Sequence, residues 1–456
     1  MKSDTIAAPA TALSSAGIGI IRISGDDAIE IADRIFCAKN KKKLTGCASH
    51  TIHYGYVTDG NRMIDEVLVM LMKAPNSYTR EDTVEIDCHG GMLIMQKILD
   101  AVIHSGARMA EPGEFTKRAF LNGRIDLAQA ESVIDMINAK NDFAWQSSID
   151  QLSGSLSKKI RQLREKILNE TAFIESALDD PEHYSLSGYP NKLLNIVCEL
   201  KQEIQHLIDT ADHGRILKEG INTVIVGKPN VGKSSILNVL VGADRAIVTD
   251  VAGTTRDALE EHIQLSGISL NIIDTAGIRQ TEDLVEKIGV DKAKEYIERA
   301  DLILYVIDSS IRLNEDDLSV AKMLKDKNVI VILNKSDLKQ CVTEQEIESI
   351  SSHVISVSAK EGNGISELTD LIRSLFLHGE LSYNDQVVIT NLRHKNALIN
   401  SLESLTLVEN SILNQMPEDF YSIDLLDAYD SLGAIIGESL EDDLADEIFS
   451  KFCMGK

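Results

Sequence analysis

Apolar and polar positions divide the 456 residues into four stretches of different rhythm. From Thr5 to about Phe120, short runs at Gly17–Ser24, Glu66–Met72 and Thr83–Cys88 alternate with helix-like segments such as Met92–Ile103. That mixture predicts a small α+β domain. From Ile125 to about Leu217 the period lengthens: Leu152, Leu156, Ile160, Leu163 and Ile167 recur at steps of four and three, one face of a single helix. Glu219 to about Phe376 alternates apolar strand-like runs with helices, the mark of a parallel sheet with crossover helices. After Leu381 the pattern is helical again, through Leu398–Ile412 and Ile423–Phe452. A tail of about 75 residues packs most simply on the earlier helices, which makes the α/β unit an insertion; a separate tail bundle is the alternative. The expected boundaries are 1–121, 122–219, 220–379 and 380–456.

Composition narrows the class. Hydrophobic residues make up 43% and charged residues 26%, a globular balance that excludes wholesale disorder. No apolar run approaches the roughly 18 residues of a membrane span. Asp4 and the Ser and Gly that break the first apolar stretch favour a buried strand at Gly17–Ile23 over a signal peptide. Six cysteines without a C-x-x-C pair predict reduced thiols in the cytoplasm and no zinc site. The formal charge of −25, with eleven carboxylates and no Lys or Arg between Glu418 and Glu447, makes the chain a poor nucleic-acid binder by itself. If it works on nucleic acid, something else supplies the positive surface. The Lys39–Lys43 run reads as a solvated loop.

The chemistry lies in the third stretch. The strand Thr223–Val226 ends in Gly227-Lys228-Pro229-Asn230-Val231-Gly232-Lys233-Ser234, a G-x-x-x-x-G-K-S loop before a helix. Backbone N–H groups of Asn230, Val231, Gly232, Lys233, Ser234 and Ser235 can curl around phosphates, with Lys233 on the terminal groups and Ser234 on Mg²⁺. A buried run then leads into Asp274, Thr275, Ala276 and Gly277, where the Asp can hold the magnesium shell and the Gly amide can sense the γ-phosphate. Between them, Thr249, Asp250, Val251, Ala252, Gly253, Thr254 and Thr255 form a Thr/Gly-rich segment, with Thr255 suited to complete the Mg²⁺ ligation. Val329–Leu333 runs into Asn334, Lys335, Ser336 and Asp337, whose carboxylate can accept two hydrogen bonds from a guanine edge. Ser358, Ala359 and Lys360 suit the loop over the base. Five motifs in order, each after a strand, predict a GTP-binding domain. Ras-like GTPases place a water-orienting glutamine just after the D-x-x-G glycine, and here that position is Ile278. Another group must handle the water and another charge the transition state. Asn230 with the Thr249–Thr255 segment can build an extra cation site; Arg256 and Arg279 are the alternative charges.

With the terminal Phe452-Cys453-Met454-Gly455-Lys456 and the helical split around the G domain, the motifs G-K-P-N-V-G-K-S, A-G-T-T-R-D and D-T-A-G-I-R resemble the MnmE family, also called TrmE, over essentially the whole chain. Family members are GTPases of tRNA wobble-uridine modification. The resemblance implies a multidomain fold: an N-terminal α+β domain that binds folate and dimerises, a discontinuous helical domain, and an inserted Ras-like P-loop G domain. It implies an FAD-dependent partner, MnmG, and a tetrahydrofolate one-carbon unit, used to install an aminomethyl or carboxymethylaminomethyl group. It implies potassium-dependent hydrolysis when G domains pair across a homodimer. The match places Asn230, Thr249, Val251 and Thr254 at potassium, Ser234 and Thr255 at Mg²⁺, and Glu286 at a water that orients the nucleophile. For folate it falls on Arg22, Glu85, Arg124 and Lys456; two arginines could meet carboxylates and a Glu could pair with the pterin N–H edge. Three positions depart from the family pattern: Arg80 for a Gly in a T-G-E-D turn, Arg124 for a Lys, and Leu178-Asp179-Asp180-Pro181 for an F-P-E-type stretch. Cys453, beside cationic Lys456, is a candidate reactive thiol; a plain terminal thiol is the simpler reading. A ribosome-assembly GTPase, acting as a binding switch, is the competing function.

Overall fold

The computed structural model describes residues 4–39, 41–60, 62–243, 261–265, 268–273, 296–324, 327–342, 346–347, 350–376, 387–438, 447–452 and 455. Two compact units emerge. One comprises 1–138, 148–200 and 400–456; the other comprises 139–147 and 201–399.

In the first unit a seven-stranded sheet runs in the order β3-β4-β5-β6-β2-β1-β7. Its strands are β1 (Ile6–Pro9), β2 (Ala16–Ser24), β3 (Phe36–Ala38), β4 (Thr51–Asp59), β5 (Arg62–Met72), β6 (Thr83–Gly90) and β7 (Arg108–Met109). All pairings are antiparallel except β1 with β7. Alternation decides the faces: Ile21, Ile23, Val67, Val69, Val84 and Ile86 are buried against α1 (Ala28–Ile35) and α2 (Met92–His104). Residues between them, Arg22 and Glu85 among them, point to the other face, and the register sets Arg22 directly opposite Glu85.

Helices α3 (Glu114–Leu121), α4 (Leu127–Asn138), α5 (Asp142–Leu152) and α6 (Ser155–Asp179) follow, then α7 (Tyr189–Glu219). Leu156, Ile160, Leu163 and Ile167 are fully buried along α6, as their spacing predicts. Leu152 belongs instead to α5, because the chain turns at Ser153–Gly154 and Gly154 takes a left-handed backbone. In the tail, α11 (Leu392–Leu413) and α12 (Asp419–Ile436) form a hairpin, and α12 packs on α6 and α4. The tail thus rejoins the earlier helices, against a separate bundle. The helix expected to run from Ile423 through Phe452 stops at Ile436, where Gly437 caps it at φ 86°. Farther on, Phe449 and Phe452 stack on each other and bury with Phe120, Ile125 and Leu127.

The second unit is a six-stranded sheet in the order β13-β12-β11-β8-β10-β9. β8 (Ile221–Val226), β10 (Ile268–Ile272), β11 (Leu302–Asp308), β12 (Val329–Asn334) and β13 (Val354–Ser356) are parallel, and edge strand β9 (Glu261–Leu265) is antiparallel. The central strands are buried on both faces, so they read as continuous apolar runs. Helix α8 (Lys233–Ala243) follows β8, α9 (Glu315–Met323) crosses from β11 to β12, and α10 (Ile365–Phe376) follows β13. No helix among the described residues is long and apolar enough to cross a membrane.

Candidate nucleotide and one-carbon sites

The loop from Gly227 to Gly232 joins β8 to α8 at the carboxyl end of the parallel sheet, where ligands bind in open α/β folds. Lys233 Nζ donates to the carbonyls of Gly227 at 2.8 Å and Lys228 at 2.7 Å, so the loop curls around its own lysine. Burial lowers the pKa of that ammonium. Lys228, from the first half of the loop, donates to Asp317 at 2.6 Å and to Asn314 at 2.9 Å, which ties the loop to the start of α9. Asn230 is exposed and left-handed at φ 62°, a conformation Asn tolerates better than most residues. Ser234 and Ser235 are exposed at the first turn of α8.

The motifs expected to meet the base converge on the same edge. Asn334 is 2% exposed. Its Nδ2 donates to the Val231 carbonyl at 2.8 Å and its Oδ1 accepts from the Ala359 N–H at 3.2 Å, stitching three motifs together. A Cβ at Gly232 would collide with that Asn334 amide, so the loop needs glycine there. Ser358 Oγ donates to Asp337 Oδ1 at 2.8 Å and fixes a carboxylate that is otherwise exposed. The Ser336 N–H donates to Val357 O at 3.2 Å. Lys335 Nζ lies 2.5 Å from Asp308 Oδ2. Burial pushes the Asp308 carboxyl up, but hydrogen bonds from Lys335 and Ser310 outweigh it and hold the group below its usual range. Lys360 is exposed beside this clamp.

In the first unit three of the folate candidates, Arg22, Glu85 and Arg124, come together around Tyr78. Arg22 Nε donates to Glu85 Oε1 at 2.7 Å, and its Nη1 donates to the Gly455 carbonyl at 3.0 Å. Tyr78 neighbours two guanidinium groups: Arg124 Cζ is 4.6 Å and Arg22 Cζ 5.9 Å from its ring centre. The Tyr78 hydroxyl shares a 2.9 Å hydrogen bond with Thr116. Tyr78, Arg80 and Arg124 line an open hollow of about 500 Å³ with Asn76, His50 and Met72. Arg80, the departure from glycine, is left-handed at φ 61° and donates to the Asn122 carbonyl at 2.9 Å. The loop wall is held from beneath: Arg118, 8% exposed, pairs with Glu81 at 3.1 Å, Glu114 at 3.0 Å and Asp4 at 2.7 Å. Gly455 takes φ 85°, and a Cβ there would strike the Pro9 carbonyl, so only glycine fits this close approach to β1.

Tyr78, Arg118 and the Gly455 carbonyl were not legible as site groups, because each acts through a partner distant in sequence. Thr249, Asp250, Val251, Ala252, Gly253, Thr254, Thr255, Asp274, Thr275, Ala276, Gly277, Arg279, Glu286, Cys453 and Lys456 lie outside the described residues.

Residues 5–124 match the family described as the GTP-binding protein TrmE N-terminus, and residues 127–453 match the MnmE helical domain. The tRNA modification GTPase MnmE of Lachnoclostridium phytofermentans is 54% identical, with all of both chains covered. Its namesake in Clostridioides difficile is 50% identical over 99% of each chain. Among solved structures, Aquifex aeolicus Era bound to GDP and aluminium fluoride is 30% identical, covering 41% of this chain and 67% of that one at a TM-score of 0.28. With two family models tiling it and full-length relatives at this identity, the chain belongs to the MnmE family of tRNA modification GTPases.

Proposed function

We propose that the chain is the GTP-hydrolysing half of a complex that modifies the wobble uridine of tRNA. With an FAD-dependent partner of the MnmG type it adds an aminomethyl or carboxymethylaminomethyl group, taking the carbon from a tetrahydrofolate derivative. The observation that carries this reading is the hydrogen bond from Arg22 to the Gly455 carbonyl, which sets the glycine of the C-x-G-K sequence against the Arg22–Glu85 pair. In sequence Cys453 follows Phe452, buried beside Tyr78 and Phe120, and stands two residues before Gly455, seated on β1. On this reading the Cys453 thiol acts on a one-carbon donor held by Arg22, Glu85, Arg124 and Lys456.

The donor types suit a folate: guanidinium groups for carboxylates, a carboxylate for a pterin N–H edge, and the Tyr78 ring for stacking. The folate supplies the one-carbon unit. Ser234 and Thr255 suit Mg²⁺, and the oxygens of Asn230, Thr249, Val251 and Thr254 suit potassium, which supplies positive charge at the β–γ bridge. Glu286 orients the attacking water through a second water. We place the domain limits at 1–121, 122–219, 220–379 and 380–456, assign the protein to the cytoplasm, and take it to act as a homodimer. A ribosome-assembly switch would call for a basic RNA-binding domain, and the tail of this chain is acidic.

The test is reconstitution with tRNA, GTP, a methylene-tetrahydrofolate and the flavoprotein, reading modified uridine by mass spectrometry of nucleosides. Product is expected only from the full mixture. Product without the flavoprotein would make the chain an independent folate enzyme instead.

A further inference from the structure

The hairpin of α11 and α12 presents a surface that neither the nucleotide nor the one-carbon chemistry uses. From Asn396 to Ser450 the chain carries thirteen carboxylates and no Lys, Arg or His. α12 buries Tyr421, Leu425, Ala428 and Leu432 on the side packed against α6 and α4. Its opposite face leaves Phe420 46%, Ile423 58% and Leu426 42% exposed. These side chains alternate with Asp424, Asp427 and Asp430, three carboxylates at i, i+3 spacing on one stripe. Leu413 and Met416, 61% and 39% exposed, carry the apolar surface around the turn from α11.

Such a face is costly in isolation. Like charges one turn apart oppose the helix, and Asp is a poor helix former away from the first turn. Burial and the neighbouring Asp427 push the Asp424 carboxyl up. A cationic surface would relieve that repulsion while covering the exposed Phe, Ile and Leu. Other occupants are poorly matched. A second copy would set this acidic stripe against itself, and tRNA phosphates or an anionic membrane would be repelled.

We propose that this face of α12 docks a basic amphipathic segment of a protein partner, with its Lys and Arg on Asp424, Asp427 and Asp430 and its apolar side chains on Phe420, Ile423 and Leu426. The inference rests on the proposed function in taking that partner to be the FAD-dependent protein. It accounts for how a chain of charge −25 comes to act on tRNA: the partner brings the positive surface, and this face holds the partner. The helix, 18 residues long, extends about 27 Å at 1.5 Å per residue, enough for one side of a standard interface.

The test measures binding of the purified flavoprotein to the full-length chain by surface plasmon resonance at low and high salt. Two variants are compared with wild type: Asp427→Asn combined with Asp430→Asn, and Ile423→Ser. The charge variant is expected to lose about tenfold in affinity and to flatten the salt dependence. Ile423→Ser should lose a similar factor and keep the slope. GTP hydrolysis and thermal unfolding should stay at wild-type levels or above in both. Wild-type binding by both variants would overturn the docking face and leave the partner reading intact. No binding by wild type at any salt would remove the partner and the inference with it. A change of self-association in light scattering, or a loss of tRNA affinity in the charge variant, would assign the face to another occupant and overturn the proposal.

Discussion

Asp337 can discriminate bases only if its carboxylate is held still, and Ser358 provides that restraint at 2.8 Å. Asp337→Asn would set an amide donor where the guanine N–H edge needs an acceptor, losing charge-assisted hydrogen bonds worth about 1.5–3 kcal/mol each. GTP affinity measured by titration is expected to fall about 100-fold or more. Unchanged affinity would remove the base-recognition assignment. Cys453 is the contrasting case, because its neighbours belong to the other unit of the chain. Cys453→Ser is expected to abolish uridine modification while GTP hydrolysis stays within about twofold. Both activities are read on one preparation, and equal loss of both would point to a role in folding or dimerisation.

At the scale of elements, the loop that carries Tyr78 and Arg80 is braced by α3 through Arg118 and Glu81. Glu114, 7% exposed at the first residue of that helix, accepts from Arg108 at 2.6 and 2.8 Å, from Arg118 at 3.0 Å and from the Glu111 N–H at 2.9 Å. Burial raises its pKa, but these bonds prevail and lower it below the usual carboxylate value. A depressed folded-state pKa gives stability that is present above the unfolded value and lost as pH falls through the folded one. Glu114→Gln is therefore expected to cost about 2–3 kcal/mol at pH 7, discounted because Arg108 is partly exposed. In urea unfolding, the gap to wild type should narrow as pH falls below the ordinary glutamate value of about 4.3 and through the lower folded-state pKa. A gap independent of pH would mean that packing, not charge, sets the cost. This network also marks what a sequence cannot disclose. Alternation in Gly17–Ser24 revealed a strand with Arg22 facing away from Ile21 and Ile23, but only the β2–β6 register sets Arg22 opposite Glu85. The G-domain motifs were legible because each follows its own strand locally, whereas Tyr78 depends on Arg124, 46 residues away, and on Arg22. The stop at Gly437 was written in the sequence as a glycine, yet the apolar rhythm of Ile423–Phe452 masked it.

For the whole molecule the open question is how hydrolysis proceeds with Ile278 in place of a water-orienting glutamine. Phosphoryl transfer still needs positive charge where the β–γ bridge becomes negative, a contribution of about 10³–10⁵ in rate when an arginine finger makes it. Potassium held by Asn230 and the Thr249–Thr254 oxygens fits that need, and Asn230 stands exposed on a loop anchored by Lys228 to Asp317. GTPase activity is expected to be at least about tenfold higher in potassium chloride than in sodium chloride at equal ionic strength, because electrostatic stabilisation is commonly the largest catalytic factor. The backbone at Asn230 decides which variant tests this. At φ 62°, alanine would add strain of about 1–2 kcal/mol to the loop and confuse lost ligation with lost shape. Asn230→Gly keeps the backbone accessible and removes only the side-chain amide. It should flatten the difference between the salts while nucleotide affinity holds, and with GDP and aluminium fluoride the wild-type chain should be more dimeric in potassium than in sodium. Equal wild-type rates in the two salts would sink the cation and turn attention to Arg256 and Arg279.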